Sequence, residues 1–457
     1  MRLSRSSHAL QPRTRRALAP MSVLALLAVT SAALRPLAAQ APDTLQLSAL
    51  QDAAVQRDPR AGQRDLLRDA SSLRLTTLDM ERRPQLTLNG NASHQSDVTQ
   101  LALRLPNTTM PVLPKDRWQA TLDVSQVLYD GGSIAARQSV ERARLAESSA
   151  AVDATLYRLR GEVNGAFFSA YLLQERAHEF DALLGDLDAR LQLARARVLN
   201  GVALPRDTSA IVAEQLRARM ARDEALSARR ASVAVLERLT GRTIADGAVF
   251  ALPDYVADVA RAQGEGRVEA LRARPEFAQF ARTRERIDRE AALTHVENRP
   301  RVLAFGQGGM GRPGLNQFRT DPDEFWMAGV RVEWRPWTWR GAERASEALR
   351  LQQRIVTTEE RALAEQLARA VESDLADMQR LRESMATDAQ LVTLRQSIEE
   401  QARAQFNEGS ITGAEYVETR TDVVEARLQL QRHRAELAQA QARYLTTLGL
   451  APRSLQP

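Results

Sequence analysis

Residues 367–409 read LARAVESDLADMQRLRESMATDAQLVTLRQSIEEQARAQFNEG. Apolar side chains recur at steps of three and four: Leu367, Val371, Leu375, Met378, Leu381 and Met385. That spacing puts them on one stripe of a helix packed along a seam. The surrounding segment, Gly341 to Gly449, contains no proline, and no glycine falls between Gly341 and Gly409. It is rich in Ala, Leu, Gln, Glu and Arg, which lose little side-chain freedom in a helix. The pattern stops at Asn407-Glu408-Gly409, where glycine can take the left-handed conformation that ends a helix. It resumes through Val417, Val424, Leu428, Ala435, Ala438, Leu445 and Leu448. At about 1.5 Å per residue the first arm spans roughly 100 Å. The stretch predicts an antiparallel helical hairpin much longer than a compact domain needs.

The hairpin is written twice. Pro59 and Pro275 each lie inside a helical pattern, and 25 residues after each comes the proline of an Arg-Pro step, Arg83-Pro84 or Arg299-Pro300. Gly132 and Gly341 each close an aromatic-containing turn; from them to the tip glycines, Gly201 and Gly409, the separations are 69 and 68 residues. From each tip glycine to the last glycine of its half, Gly241 or Gly449, the separation is 40. Markers at matching spacing indicate an internal repeat. The expected organisation is a first repeat over 42–241, a linker with a short helix over 242–264, a second repeat over 265–449 and a tail over 450–457. Each repeat reads as a helix (44–82; 265–298), a Pro/Gly-rich segment with strands, a very long helix (133–199; 341–406), a tip and a return helix (207–240; 413–448).

The strands alternate. Trp118, Ala120, Leu122 and Val124 interleave with Gln119, Thr121, Asp123 and Ser125. Trp326, Ala328, Val330, Val332 and Trp334 interleave with Met327, Gly329, Arg331 and Glu333. A period of two gives each strand one apolar and one polar face. Partner strands are expected over 85–95 and 301–310. Four strands are too few for a sandwich, and a hairpin alone cannot bury its apolar face. Apolar-out, polar-in strands of about ten residues are what a membrane β-barrel requires. Trp118, Trp326, Trp334, Trp337 and Trp339 are then membrane-interface aromatics. Four strands cannot close a barrel, and an open edge is forbidden in lipid, so several chains must complete it together.

Residues 1–41 have the layout of a secretory signal peptide: a basic start, an apolar run from Met21 to Leu34 and small residues around Ala38 to Ala41. Six arginines and no acid precede Pro42; 63 basic residues less these 6 leaves 57, against 57 acidic. The remainder is formally neutral, which removes the main support for a nucleic-acid partner. The chain has no cysteine, so disulfides, thiolate metal sites and a cysteine nucleophile are excluded.

With its doubled arrangement, the strand end Val127-Leu128-Tyr129-Asp130-Gly131-Gly132 entering a long helix, and the tips Arg197-Val198-Leu199-Asn200-Gly201-Val202 and Phe406-Asn407-Glu408-Gly409-Ser410, the chain resembles the TolC family of outer-membrane efflux proteins. The resemblance covers essentially all of it after residue 41. It implies a mainly α fold with a small β part. Long antiparallel coiled-coil helices form an α-barrel, and four strands per chain contribute to a trimeric 12-stranded transmembrane β-barrel. It also implies an exit duct in the outer membrane, serving a tripartite efflux pump or type I secretion system. Its partners are then a periplasmic adaptor and an inner-membrane transporter, with no cofactor and no enzymatic step.

Asp207 and Glu415 each fall six residues after a tip glycine, and Glu418 lies one helical turn beyond Glu415. One reading makes them helix-start carboxylates favoured by the macrodipole. The resemblance adds another for Glu415 and Glu418: they match the acidic residues that ring the periplasmic constriction. Three copies then place six carboxylates in one mouth, selecting cations and raising their own pKa by repulsion. The Tyr and Arg with which some members lock the closed mouth fall here on Phe406 and Ile411, neither of which can make the hydrogen bond or the ion pair.

Other patterns carry less. Gly306-Gln307-Gly308-Gly309-Met310-Gly311 spells a dinucleotide fingerprint, but Pro313 and Gly314 follow where a helix should begin, and a flexible strand end is the better reading. The five histidines are scattered without metal spacing. The main alternative function is a periplasmic coiled-coil adaptor or scaffold without a membrane barrel. Adaptors normally have one hairpin, whereas the doubled hairpin and Trp-flanked strands favour the channel.

Overall fold

The computed structural model describes residues 44–98, 113–264, 267–316 and 319–450; the expected signal peptide and nearly all of the tail lie outside them. The first half runs β1 (Thr44–Leu45), α1 (Leu47–Arg57), α2 (Gln63–Met80), β2 (Gln85–His94), β3 (Asp116–Tyr129), α3 (Ser133–Leu199) and α4 (Pro205–Thr240). After β4 (Val249–Phe250) and α5 (Val256–Ala262), the second half runs α6 (Arg267–Arg272), α7 (Pro275–Val296), β5 (Arg301–Arg312), β6 (Asp323–Glu333), α8 (Gly341–Glu408) and α9 (Gly413–Thr447). The 67- and 68-residue helices α3 and α8 are the expected long arms, and each is about 100 Å long.

The expected first helices of both halves are broken at their prolines. Asp58 and Arg274 are extended, with ψ of 128° and 143°, because a proline ring disfavours the helical conformation in the residue before it. Pro59 opens a 3-10 turn and Pro275 opens α7, the position where a missing N–H costs nothing. These breaks also account for a repeat marker. A Cβ on Gly241 would lie 2.6 Å from the Arg57 side chain, and one on Gly449 would lie 2.8 Å from that of Arg274. Each half thus ends on a glycine, with positive φ, pressed against the arginine beside its own break.

One pairing of markers moves by a residue. The left-handed pair before α3 is Gly131-Gly132, but before α8 it is Trp339-Arg340. Arg340, not Gly341, is therefore the counterpart of Gly132, and both lie 69 residues before their tip glycine. The unequal spacing of 69 and 68 disappears.

The largest core sits midway along the hairpins. Phe167 of α3 packs edge-on against Phe168 and Phe250, with centroids 5.5 and 5.4 Å apart. Leu50 of α1, Met378 of α8, and Tyr444 and Leu445 of α9 join the cluster. Residues 242–264 are more than a tether: Ile244, Phe250, Tyr255 and Val259 are buried in the same core. They and α1 strap the hairpins together where small residues of α9, such as Ala435, Ala438 and Ala442, permit close approach.

The four long strands form one antiparallel sheet in the order β2-β3-β5-β6, leaving β2 and β6 as open edges among the described residues. One cross-strand row is Leu88, Leu122, Gly308 and Trp326; its neighbour on the other face is Thr87, Asp123, Gln307 and Met327. Leu88 is 80% exposed and Leu122 49%, whereas Thr121 is 5% exposed. The sheet therefore curls around its polar face and turns apolar side chains outward. Asn89 and Thr121 both donate hydrogen bonds to the Asp123 carboxylate on the inner face. The glycine-rich stretch 306–311 lies within β5, paired on both sides; it is the body of a central strand, not a flexible end.

Candidate functional site at the paired hairpin tips

Both tips turn at a glycine in the left-handed region, Gly201 with φ 74° and Gly409 with φ 81°. The return helices are then capped by the carboxylates that the sequence singles out. Asp207 accepts the Leu204 N–H at 3.2 Å and, with its other oxygen, the Gly413 N–H at 3.3 Å. It thus links the first tip to the start of α9. Glu415 forms a reciprocal box with Thr412: it accepts the Thr412 N–H at 2.7 Å and hydroxyl at 2.9 Å, while its own N–H donates to that hydroxyl at 3.3 Å. The Thr412 N–H, then its hydroxyl, hold the Glu415 carboxyl below the usual carboxylate range. Within one chain that is the reverse of the rise expected from repulsion, because hydrogen bonds to the charged form dominate. Glu415 and Glu418 are both exposed, one turn apart on α9.

Phe406 lies in the cluster beneath the tips. It is 3% exposed, stacks on Tyr416 with centroids 5.2 Å apart, and has the Arg197 guanidinium 5.3 Å from its ring centroid. Within one chain the ring packs inside its own hairpin cluster. Ile411 is half-buried and packs against the same cluster.

A tyrosine and an arginine of α9 join the two hairpins. The Tyr416 hydroxyl donates to Asp186 of α3 at 2.8 Å, and Arg420 donates to the same carboxylate at 3.3 Å. Arg190, one turn along α3, lies 3.6 Å from Asp186 and donates to the Asn407 side chain at 3.3 Å. Arg197 donates to the backbone carbonyls of Phe406 and Asn407. Burial, then Asp186, push the Tyr416 phenol well above its ordinary range, so it remains a donor at neutral pH. The two hairpins are thus stitched by a half-buried ionic seam. Sequence reading missed Tyr416, Asp186 and Arg420 because their partners lie over 200 residues apart. The only local signal is a polar-tipped aromatic between Glu415 and Val417, on the apolar stripe.

The tryptophans fall into two groups. Trp118 and Trp326 lie toward the loop ends of β3 and β6; Trp334, Trp337 and Trp339 lie between β6 and α8. Trp326, Trp334, Trp337 and Trp339 are all more than 60% exposed, and Trp337 meets Trp339 edge-on at 6.0 Å. Elsewhere, His433 of α9 hydrogen-bonds Asp388 of α8 at 2.5 Å within the second hairpin. Among the described residues no cluster of metal-binding side chains is present, and no helix is long and apolar enough to cross a membrane.

No family model and no curated protein matches the sequence. Solved structures do match the fold. CusC, described for its transmembrane channel formation, is 14% identical, with a TM-score of 0.66 over 90% of this chain and 93% of its own. The outer membrane protein VceC from Vibrio cholerae is 14% identical at 0.63, over 88% and 96%. The open state of the MtrE outer membrane channel from Neisseria gonorrhoeae is 15% identical at 0.62, over 90% of each chain. At these identities the likeness establishes a shared fold: that of outer-membrane channels of the TolC type, whose strands and long helical hairpins occur here in one chain.

Proposed function

We propose that this chain is one third of an outer-membrane exit duct. One observation carries the reading: an apolar-faced sheet with two open edges stands at one end of helical hairpins about 100 Å long. Lipid tolerates neither open edge, and three copies supply the twelve strands of a closed barrel. The strands hold 10 to 14 residues. At about 3.3 Å per residue and a tilt of about 40°, they cover the roughly 25 Å apolar band of such barrels. The two tryptophan groups then lie at its two faces.

In this reading residues 1–41 direct export, the repeats over 42–241 and 265–449 flank the segment 242–264, and the hairpins enclose a water-filled tunnel in the periplasm. The tips meet a periplasmic adaptor and an inner-membrane transporter, in a tripartite pump or a type I secretion system. Glu415 and Glu418 of three copies ring the mouth, and Asp207 braces it. A soluble adaptor leaves the outward Leu88, Leu122 and Trp326 unexplained.

Detergent-purified protein is expected to have the mass of a trimer, to fractionate with outer membranes and to conduct ions across planar bilayers. A monomer that passes no current overturns the reading.

A further inference from the structure

The three most extensive contacts between the two halves in the chain are β3 with β5, α3 with α7, and α3 with α9; α4 also meets α9 over a shorter stretch. Exchanging each element for its counterpart gives three images: β6 with β2, α8 with α2, and α8 with α4. Among the described residues none of these is an extended contact within the chain. If the duct reading holds, the next copy supplies all three, and their chemistry can be read residue by residue.

From Trp118 to Gly241 each residue corresponds to the one 208 positions later, as Trp326, Gly409 and Gly449 show. Asp186 and Arg190, the α3 side of the ionic seam, then correspond to Leu394 and Ile398 of α8. Tyr416 and Arg420, the α9 side, correspond to Thr208 and Val212 of α4. The same change occurs nearer the sheet. Glu147 of α3 pairs with Arg286 of α7 at 2.5 Å. Its counterpart on α8 is Ile355, and Arg286, by the 216-residue offset of the Arg-Pro steps, corresponds to Ala70 of α2.

The surface agrees with this substitution. Leu394 is 59% exposed, and Leu391 and Ile398 flank it on the same stripe. On α4, Leu216 and Met220 are 54% and 73% exposed. The two patches lie at one depth: Leu394 is 15 residues before Gly409, and Leu216 is 15 after Gly201, roughly 22 Å along each helix. In a water-filled tube both the inner and the outer wall are wet. The joint between copies is the place where such side chains leave water.

We propose that neighbouring copies meet along an apolar seam, Leu391, Leu394 and Ile398 of α8 against Val212, Leu216 and Met220 of the next copy's α4. Around the mouth, ionic seams within copies alternate with apolar seams between them. Loss of a charged partner weakens the first kind and leaves the second intact, so the mouth widens by parting the two hairpins of each copy.

The chain has no cysteine, which permits a direct test. Leu394→Cys and Val212→Cys are made in separate chains, co-expressed, and treated with a short bis-maleimide. Dimers linked only in the co-expressed sample are expected, and likewise for Ile355→Cys with Ala70→Cys. A trimer by mass that yields neither linkage overturns the seam and leaves the duct reading intact. A monomer overturns both.

Discussion

Replacing Asp186 by alanine tests the ionic seam most directly. Its carboxylate accepts from Tyr416 and Arg420, with Arg190 alongside. Removing one member of a fully buried pair costs about 3–5 kcal/mol, since the remaining charge is left without a partner. The Asp186 side chain is 24% exposed while that of Arg420 is 10% exposed, so partial solvation reduces this to about 2 kcal/mol per copy. At about 1.4 kcal/mol per tenfold, each seam's opening equilibrium shifts by roughly 30-fold. Single-channel recording in planar bilayers should show Asp186→Ala trimers open far more of the time than the parent. Tyr416→Phe keeps the stack on Phe406 but loses the hydroxyl that Asp186 and Glu399 share, a hydrogen bond to a charged acceptor worth about 1.5 kcal/mol, and should lie between the two. Asp186→Ala trimers that stay assembled yet open no more than the parent would refute the assignment.

The remaining predictions concern the mouth and the helix entries. Glu415→Gln with Glu418→Gln keeps an acceptor for the Thr412 N–H while removing six charges from a trimeric mouth; reversal-potential measurements should show cation preference falling, and an unchanged preference removes these residues from the selectivity ring. The Glu415 carboxyl is held low in the folded chain, so its cap contributes above the unfolded-state pKa of about 4.3 and is lost as pH falls through the lower folded value; hydrogen exchange at Gly413 to Tyr416 should accelerate below about pH 4, and Glu415→Gln should abolish that acceleration. Arg340→Gly places glycine at a φ of 61° and should stabilise the chain by about 1 kcal/mol in thermal melts. Phe167→Ala empties the centre of the core and should cost about 3–5 kcal/mol, read from denaturant midpoints.

What the sequence settled was periodic or local. Period three-to-four stripes gave α3, α4, α8 and α9 to within a few residues, because a long helix answers mainly to its own propensity and one packed stripe. Period-two alternation gave the strands and their faces for the same reason. The proline breaks at Asp58 and Arg274 were equally local, and the apolar periodicity around them concealed the interruption. What tertiary structure alone decided was which distant side chains meet. Nothing in the spacing around Phe406 foretells its stack on Tyr416 or the cover of Arg197. The Tyr and Arg of the seam sit at 416 and 420, where only the docking of α9 on α3 brings them to Asp186. Contacts across more than 200 residues leave no imprint on neighbouring spacing, so the sequence carried the rods and the fold decided how they are joined.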